Sequence, residues 1–204
     1  LADAKRRIER RLDRPGGKGG RPLFGGQNVR YEYADRVRGI TVGGIGLVHR
    51  LAEEIGLVEA INQNVQVLKV HLPYHESDHV LNLAYNALCE GVRLEDIELR
   101  RNDEVYLDAL GTDRIPDPTT AGDFCRRFSE GDVRGLMQAI DATRRNVWAR
   151  QPKEFFSRAT IDADGTLVVT TGECKEGMDI SYKGTWGYHP LIVSLAETGE
   201  VLRL

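Results

Sequence analysis

The pattern of apolar and polar positions changes once along the chain, close to Gln151. Before that point, apolar side chains recur at intervals of three and four residues, which is typical of helices that bury one face. After it, apolar and polar side chains alternate, which is typical of strands. We therefore predict a flexible arm over residues 1–27, a mostly α domain over residues 28–151, and the start of a strand-containing domain over residues 152–204.

Apolar stripes and capping residues predict the helices of the middle region. Gly56 and Gly111 each follow a stripe, at the position where a left-handed residue commonly ends a helix. Thr120, with Asp123 three residues later, is predicted to cap a further helix. Residues 28–40 are expected to hold a short strand. The apolar positions expected on the helix faces are Leu47, Leu51 and Ile55; Val80, Ala84, Ala87 and Leu88; Val105, Leu107 and Leu110; Phe124 and Phe128; and Val133, Leu136, Met137, Ile140 and Val147.

The stretch from His75 to His79 matches H-E-x-x-H, a spacing that can place two zinc ligands on one face of a helix. The two histidines share a face only if both lie inside the helix. Pro73 precedes the motif, and Ser77 and Asp78 are favoured N-cap residues, so the helix is predicted to begin within the motif. We therefore interpret the motif as a helix cap packed near the surface rather than as a zinc site.

The charge distribution is uneven along the chain. The net charge is −3, and the three cysteines are sparse, which argues against a disulfide scaffold. Residues 1–22, however, carry an excess of five positive charges around a glycine-rich run. This composition is typical of a basic arm that neutralises phosphates without reading sequence. A solvated tail fits the same composition equally well.

Arginines lie near the starts of the predicted helices. Capped turns between short helices, with arginines close to them, are typical of helix-turn-helix contact with DNA. An ordinary helical domain with solvated arginines is the alternative, and the residues alone favour it. The candidate DNA-binding residues are Arg6, Arg7, Arg10 and Arg11 in the arm, and Arg100, Arg101, Arg126 and Arg127 in the helical domain.

The first alternating run covers residues 161–169 and carries two acids on its polar face. Asp162 and Asp164 are two residues apart, so a strand places both carboxylates on one side. Carboxylate oxygens are the ligands that hard cations such as Mg²⁺ prefer. The alternative is that they are turn or strand-end aspartates, since Asp-Gly is a common turn signal. Two further strands are predicted, over residues 191–196 and 201–204.

These residues resemble the DDE transposases of bacterial insertion sequences. The matching segments are residues 162–166, 171–179, 186–191 and 194–196 in the strand region, and residues 77–81 and 116–124 in the helical region. The resemblance implies the first β-strands of an α/β ribonuclease-H-like core, in truncated form, after a helical DNA-binding domain. It also implies metal-dependent DNA cleavage at insertion-sequence ends and strand transfer, with two Mg²⁺ or Mn²⁺ ions held by three carboxylates.

The resemblance assigns Asp164, which directly precedes Gly165-Thr166, as the first catalytic acid, with Asp162 as a second candidate ligand. It implies double-stranded DNA as partner, a homo-oligomer at full length and a bacterial, nucleoid-associated location. The sequence contains no run of about 18 apolar residues, so it predicts no membrane-spanning helix. The family's second Asp and its Glu come from later elements, so we expect an N-terminal fragment that is inactive alone. The alternative is a non-catalytic DNA-binding remnant or regulator.

Overall fold

The computed structural model describes residues 24–25, 42–71, 73–171 and 175–204. Helices come first and two small antiparallel sheets follow, in agreement with the predicted order of classes. The chain divides into two compact units between Val147 and Trp148, four residues before the change of pattern at Gln151. None of the described helices is both long enough and apolar enough to cross a membrane. The strand expected within residues 28–40 lies outside the described residues.

The described part of the first unit, hereafter the helical unit, consists of short helices followed by one longer helix. Gly56 (φ 81°) and Gly111 (φ 68°) take the left-handed conformation after the first and fifth helices, as predicted. The elements are α1 (Ile45–Glu54), α2 (Leu57–Asn64), α3 (Glu76–Leu88), a 3₁₀ turn (Leu94–Asp96), α4 (Ile97–Arg101), α5 (Glu104–Ala109), α6 (Pro118–Cys125) and α7 (Glu130–Trp148).

The apolar core of the helical unit forms around α3. Leu81 and Tyr85 of α3 are buried among side chains from the neighbouring helices. Aromatic and branched side chains that become fully buried stabilise a fold by about 1.5–3 kcal/mol each. The other core residues include Ile61, Val65, Ile97, Tyr106, Leu107, Leu110 and Ile115.

Phe24 belongs to this core, although the sequence pattern placed it in a flexible arm. Its side chain is buried and stacks on Tyr85, with 5.9 Å between the ring centroids. Its N–H donates to Asp78 Oδ1 (3.2 Å), and the N–H of Gly25 donates to the carbonyl of Leu110 (3.1 Å). The arm prediction is therefore wrong for these two residues, because one aromatic side chain fixes the backbone around it.

The buried faces of α1 and α3 differ from the predicted ones. In α1, Leu47 and Leu51 are 45% and 56% exposed, while His49 is buried. In α3, Ala84, Ala87 and Leu88 are exposed, and the buried face alternates apolar residues with polar ones. A prediction from apolar spacing treats every polar residue as solvent-facing. It therefore misses a buried face whose polar side chains are hydrogen-bonded inside the protein. The buried polar residues of α3 are Glu76, Ser77, Asp78, His79, Asn82 and Asn86.

Small residues form the buried face of α7, instead of the predicted stripe. Val133 and Ile140 are 46% and 43% exposed. Gly135 is buried, and a Cβ added there would lie 2.3 Å from the carbonyl oxygen of Asn64. Only glycine allows α7 to approach the end of α2 so closely. The buried residues of α7 are Gly135, Ala139 and Thr143.

The start of α6 also differs from its prediction. Asp117, not Thr120, is the N-cap: its carboxylate accepts from the Thr120 N–H (2.9 Å) and hydroxyl (2.8 Å). Pro118 occupies the first helical position, where its missing N–H leaves no hydrogen bond unmade. The helix therefore begins three residues earlier than expected. Phe124 and Phe128 contact each other with 5.1 Å between ring centroids, as their shared face predicted.

The second unit, hereafter the strand unit, holds two three-stranded antiparallel sheets. In one sheet the order is β1-β5-β6, and in the other it is β2-β4-β3. The predicted second and third strands are confirmed as β5 and β6. The elements are a 3₁₀ turn (Lys153–Ser157), β1 (Ile161–Gly165), β2 (Val168–Val169), β3 (Asp179–Ile180), β4 (Trp186–Tyr188), β5 (Leu191–Leu195) and β6 (Glu200–Arg203).

The alternating run of residues 161–169 is split between the two sheets. β1 ends at Gly165, and β2 pairs with β4 in the other sheet. The predicted single strand with Leu167 and Val169 on its apolar face is therefore wrong beyond Gly165. In β4, a Cβ at Gly187 would lie 2.5 Å from the carbonyl oxygen of Val168, so this close strand pair needs glycine there.

Candidate functional site

Asp162 and Asp164 lie on β1, which pairs with β5 at one edge of its sheet. Residues two apart on a strand point to the same side, so the two carboxylates share a face. Both residues are exposed, and neither carboxylate has a hydrogen-bond or ion-pair partner in the part of the chain that the structure describes. The strand thus presents two acids to solvent on one side, without a partner among the described residues, and their role as metal ligands stays a prediction.

The start of β1 is fixed by a carboxylate of the following hairpin. Glu197 accepts from the Thr160 N–H (2.9 Å) and from the Thr160 hydroxyl (2.7 Å). These hydrogen bonds, with the Arg158 charge as a lesser cause, lower the pKa of Glu197. The Ala196 N–H also donates to the Thr160 carbonyl (2.9 Å), which extends the pairing of β1 with β5. The strand that carries the two aspartates is therefore anchored immediately before them.

The donor set at β1 fits two ligands of a hard cation. Mg²⁺ commonly binds one or two carboxylates and completes its octahedron with water and substrate phosphates. Asp162 and Asp164 supply two such carboxylates on one face. Within residues 24–25, 42–71, 73–171 and 175–204, no group of three or more His, Cys, Asp and Glu side chains could hold a metal ion.

A pocket of about 500 Å³ opens at the end of β1. Beside the pocket, the Thr166 N–H donates to the Pro190 carbonyl (3.0 Å). This hydrogen bond joins the segment just after β1 to the residue just before β5. Gly165, which directly follows Asp164, forms part of the wall, and a Cβ there would meet no atom within 4 Å. Other wall residues are Leu167, Asp179, Tyr182, Lys183 and His189. Nothing in the sequence pattern singled out this pocket.

The H-E-x-x-H stretch contributes to the fold of the helical unit. His75 is the extended N-cap residue of α3, so the helix begins within the motif, as predicted. The expected position near the surface is wrong, since Glu76, Ser77, Asp78 and His79 are all buried. The missed signal was the four-residue spacing of Asp78, Asn82 and Asn86, which places three polar side chains on one helix face.

Two acids of this stretch hold loops onto the start of α3. Glu76 Oε1 accepts from the Leu68 N–H (3.1 Å), and its other oxygen lies 3.0 Å from His71 Nε2. Asp78 accepts from the N–H groups of His75 (2.8 Å) and Phe24 (3.2 Å). Buried carboxylates are retained where such donors compensate for lost hydration.

Polar neighbours of these acids bind further loops in the same way. Ser77 and Asn62 exchange two hydrogen bonds, of 2.9 and 3.0 Å. The side-chain amide of Asn82 donates to the carbonyl of Pro116 (3.1 Å). Each bond joins α3 to a segment distant in sequence, so this polar face of the helix specifies the packing of the unit.

His79 is part of an aromatic cluster. Its ring stacks on Phe124 with 4.3 Å between centroids and lies edge-on to Tyr74 at 5.5 Å. Burial, the main cause, lowers the pKa of His79 to about 4, so the ring is neutral at pH 7. The imidazole therefore serves as a buried packing group against α6, while His75 precedes the helix.

The four candidate arginines of the helical unit differ in availability. Arg100 donates to the Cys89 carbonyl, and its Nε is buried without a partner among the described residues, so this side chain supports the fold. Arg101 and Arg126 form ion pairs three residues back along their helices. Arg127 is exposed, and its side chain forms no ion pair or hydrogen bond with the described residues, although its backbone N–H donates to the Phe124 carbonyl (3.1 Å). Arg6, Arg7, Arg10 and Arg11 lie outside the described residues.

Comparison with protein-family models, with curated proteins and with solved structures finds no match for this chain. Within the described residues, the exposed acids of β1 and the neighbouring pocket offer chemistry that the fold does not already use.

Proposed function

We propose that this chain binds duplex DNA and supplies the first metal-binding strand of a DDE transposase, which cleaves DNA at insertion-sequence ends and transfers the strands. The observation that carries the proposal is the pair of exposed carboxylates of Asp162 and Asp164 on one face of β1, which have no partner among the described residues. A carboxylate that serves the fold is normally hydrogen-bonded or ion-paired, whereas a ligand for metal and phosphate must stay accessible.

The three strands β1, β5 and β6 are, in this proposal, the opening strands of a ribonuclease-H-like core. Asp164 is the principal ligand and Asp162 the second candidate. The open space beside Gly165 supports this order, because a phosphate backbone can approach next to Asp164 without meeting a side chain. Mg²⁺ or Mn²⁺ at these carboxylates would stabilise the charge that develops on the attacking and leaving oxygens of a phosphodiester.

In this proposal, basic residues outside β1 contact the DNA backbone. Residues 1–22 carry an excess of five positive charges, and the Arg127 guanidinium has no partner in the described part of the chain. Such contacts position a duplex without reading its sequence. Arg100 is left out of the proposed interface, because its side chain is engaged at Cys89.

Gel-shift titration of the chain with duplex DNA tests the proposal, in EDTA and in Mg²⁺. The matched variant is Asp162→Asn with Asp164→Asn, which keeps size and removes both charges. We expect Mg²⁺ to tighten binding of the wild type and not of the variant, because the cation is shared between carboxylates and phosphate. Equal, salt-sensitive binding with and without Mg²⁺ would favour the alternative of a DNA-binding regulator without catalysis. Absence of duplex binding at low salt would contradict both functions.

A further inference from the structure

The turn between β3 and β4 holds two side chains at its tip. The Ser181 N–H donates to the Thr185 carbonyl, and the Gly184 N–H donates to the Ser181 carbonyl, each at 2.8 Å. Gly184 has φ 77°, a conformation that suits glycine and closes the turn tightly. The rigid turn presents Tyr182 and Lys183 side by side.

Tyr182 is 93% exposed, more than any other aromatic residue in the described part of the chain. A single exposed aromatic residue is ordinary by itself. Here, however, the Lys183 ammonium lies 5.5 Å from the centroid of the ring, and both residues line the pocket at the end of β1. An aromatic face, a cation and a cavity therefore meet at one place, and none of them contributes to a core.

We propose that this pocket binds an unpaired nucleotide of DNA. The base would stack on Tyr182, and its phosphate would lie near Lys183. Stacking on an aromatic side chain tolerates any base, since every base has a π-face, and a nearby cation offsets the phosphate charge. The cavity of about 500 Å³ is within the usual range for ligand sites.

The remaining wall of the pocket fits the edge of a base. Asp179 offers a carboxylate that accepts from exocyclic amino groups, and His189 offers one donor and one acceptor. Leu167 and Ile180 supply apolar surface between them. The Asp179 charge disfavours a phosphate deep inside the pocket, so the phosphate belongs at the Lys183 end.

The pocket and the acidic strand share a boundary at Gly165. A nucleotide held in the pocket would leave its neighbouring phosphate close to Asp164, in DNA opened at that step. This part of the inference rests on the proposed function, because the nucleotide would come from the same DNA that reaches β1. The occupancy of the pocket by an unpaired nucleotide does not depend on catalysis.

A direct test uses a deoxycytidine hexanucleotide, whose bases carry the exocyclic amino group, as probe and amide NMR spectra of the full chain. We expect the probe to shift signals of residues 165–167 and 180–184, and Tyr182→Ala to weaken its binding by roughly 5- to 100-fold, the range for loss of one stacked base. Tyr182→Phe should bind as the wild type does. Phe156→Ala removes another exposed aromatic side chain of the strand unit and is the matched control. Shifts confined to other residues, or equal binding by Tyr182→Ala, would overturn the inference.

A second test separates this inference from the proposed function. Two duplexes of one sequence are compared, one fully paired and one with three unpaired nucleotides at an end. We expect tighter binding of the unpaired end, and loss of this preference in Tyr182→Ala and Lys183→Ala with fully paired binding unchanged. Duplex binding without any preference would overturn the inference and leave the proposed function standing. Hexanucleotide binding at the pocket without duplex binding would support the inference and contradict the proposed function.

Discussion

Two pairs of acids, one in each unit, have the same spacing and opposite surroundings. Glu76 and Asp78 lie in the first turn of α3, where residues two apart face different directions. Glu76 accepts from the N–H of Leu68, and Asp78 accepts from the N–H of Phe24. Asp162 and Asp164 lie on β1, where residues two apart share a face, and both are exposed and unpartnered among the described residues. The first pair therefore builds the fold, and the second is free for a ligand.

The comparison explains why an acidic motif alone is a poor guide to chemistry. H-E-x-x-H has the more specific spacing, but its acids are consumed by hydrogen bonds that compensate for burial. Asp-x-Asp has little specificity as a motif, but its environment leaves the charges available. The element that carries the acids, helix or strand, determines which case applies.

Removal of a buried acid is expected to cause the largest loss in the free energy of unfolding. Asp78→Ala leaves the N–H groups of His75 and Phe24 without their acceptor, and hydrogen bonds to a charged group contribute about 1.5–3 kcal/mol each. We expect a loss of about 3 kcal/mol or more in the free energy of unfolding, followed by helical circular dichroism in urea. Asp164→Ala, the matched exposed acid, should change stability by less than about 0.5 kcal/mol. Similar losses of stability in the two variants would contradict the distinction between the buried acid and the exposed one.

A pH titration of stability tests the buried aromatic cluster beside the first acid pair. Burial lowers the pKa of His79 from 6.5 to about 4, so the unfolded chain binds its proton first as pH falls. Its contribution to stability is thus complete above pH 6.5 and is lost towards pH 4, by about 3 kcal/mol. His79→Phe should remove this part of the pH dependence, whereas His189→Phe, at an exposed site, should keep it. If the stability of the wild type and of His79→Phe fell equally with falling pH, the lowered pKa of His79 would not be a source of this pH dependence.

Glycine substitutions probe close packing in the helical unit without changing any charge. In Gly135→Ala the new Cβ would lie 2.3 Å from the Asn64 carbonyl oxygen, so α7 and α2 must separate. We expect a loss of about 1–3 kcal/mol in thermal or urea unfolding. Gly131→Ala on the same helix meets nothing closer than 3.6 Å and should leave stability unchanged or slightly higher. Equal effects at the two glycines would mean that α7 does not pack this way.

The smallest expected effect is on DNA affinity, and it concerns Arg127, whose side chain is exposed. Arg127→Ala should lower the slope of log affinity for duplex DNA against log salt by about 0.9, the value for one phosphate contact. Arg100→Ala should instead destabilise the helical unit, since its guanidinium holds the Cys89 carbonyl. Gel shifts at several salt concentrations and urea unfolding of both variants distinguish the two roles. An unchanged slope in Arg127→Ala would remove Arg127 from the proposed DNA interface.

Local signals in the sequence predicted much of the backbone, and side-chain burial followed less closely. Gly56 and Gly111 marked helix ends because left-handed backbone favours glycine, and alternation predicted the strands that became β5 and β6. The buried faces of α1 and α3 were missed, because hydrogen-bonded polar side chains occupy the core there. Their partners are distant along the chain, as between Asp78 and Phe24, and periodicity contains no information on such pairs.

The candidate site was predicted only where one strand suffices to define it. Asp162 and Asp164 share a face by strand geometry alone, as the sequence predicted. Exposure does not distinguish that face, because all five residues of β1 are exposed, including Ile161 on the side predicted to be apolar. The pocket beside Gly165 needs three segments that meet through the pairing of β2, β3 and β4. Strand pairing of this kind is set by register and turn geometry, and no local pattern in residues 165–189 indicated it.

Paramagnetic broadening of amide signals by Mn²⁺ compares the two acid pairs in one experiment. Mn²⁺ broadens signals near its binding site, and carboxylates that are already hydrogen-bonded and buried should not attract it. We expect selective broadening of residues 161–166 at low Mn²⁺ concentration, lost in Asp162→Asn with Asp164→Asn, and none at residues 75–79. Selective broadening at 75–79, or none at 161–166, would contradict the claim that the exposed pair on β1 is the metal-binding one.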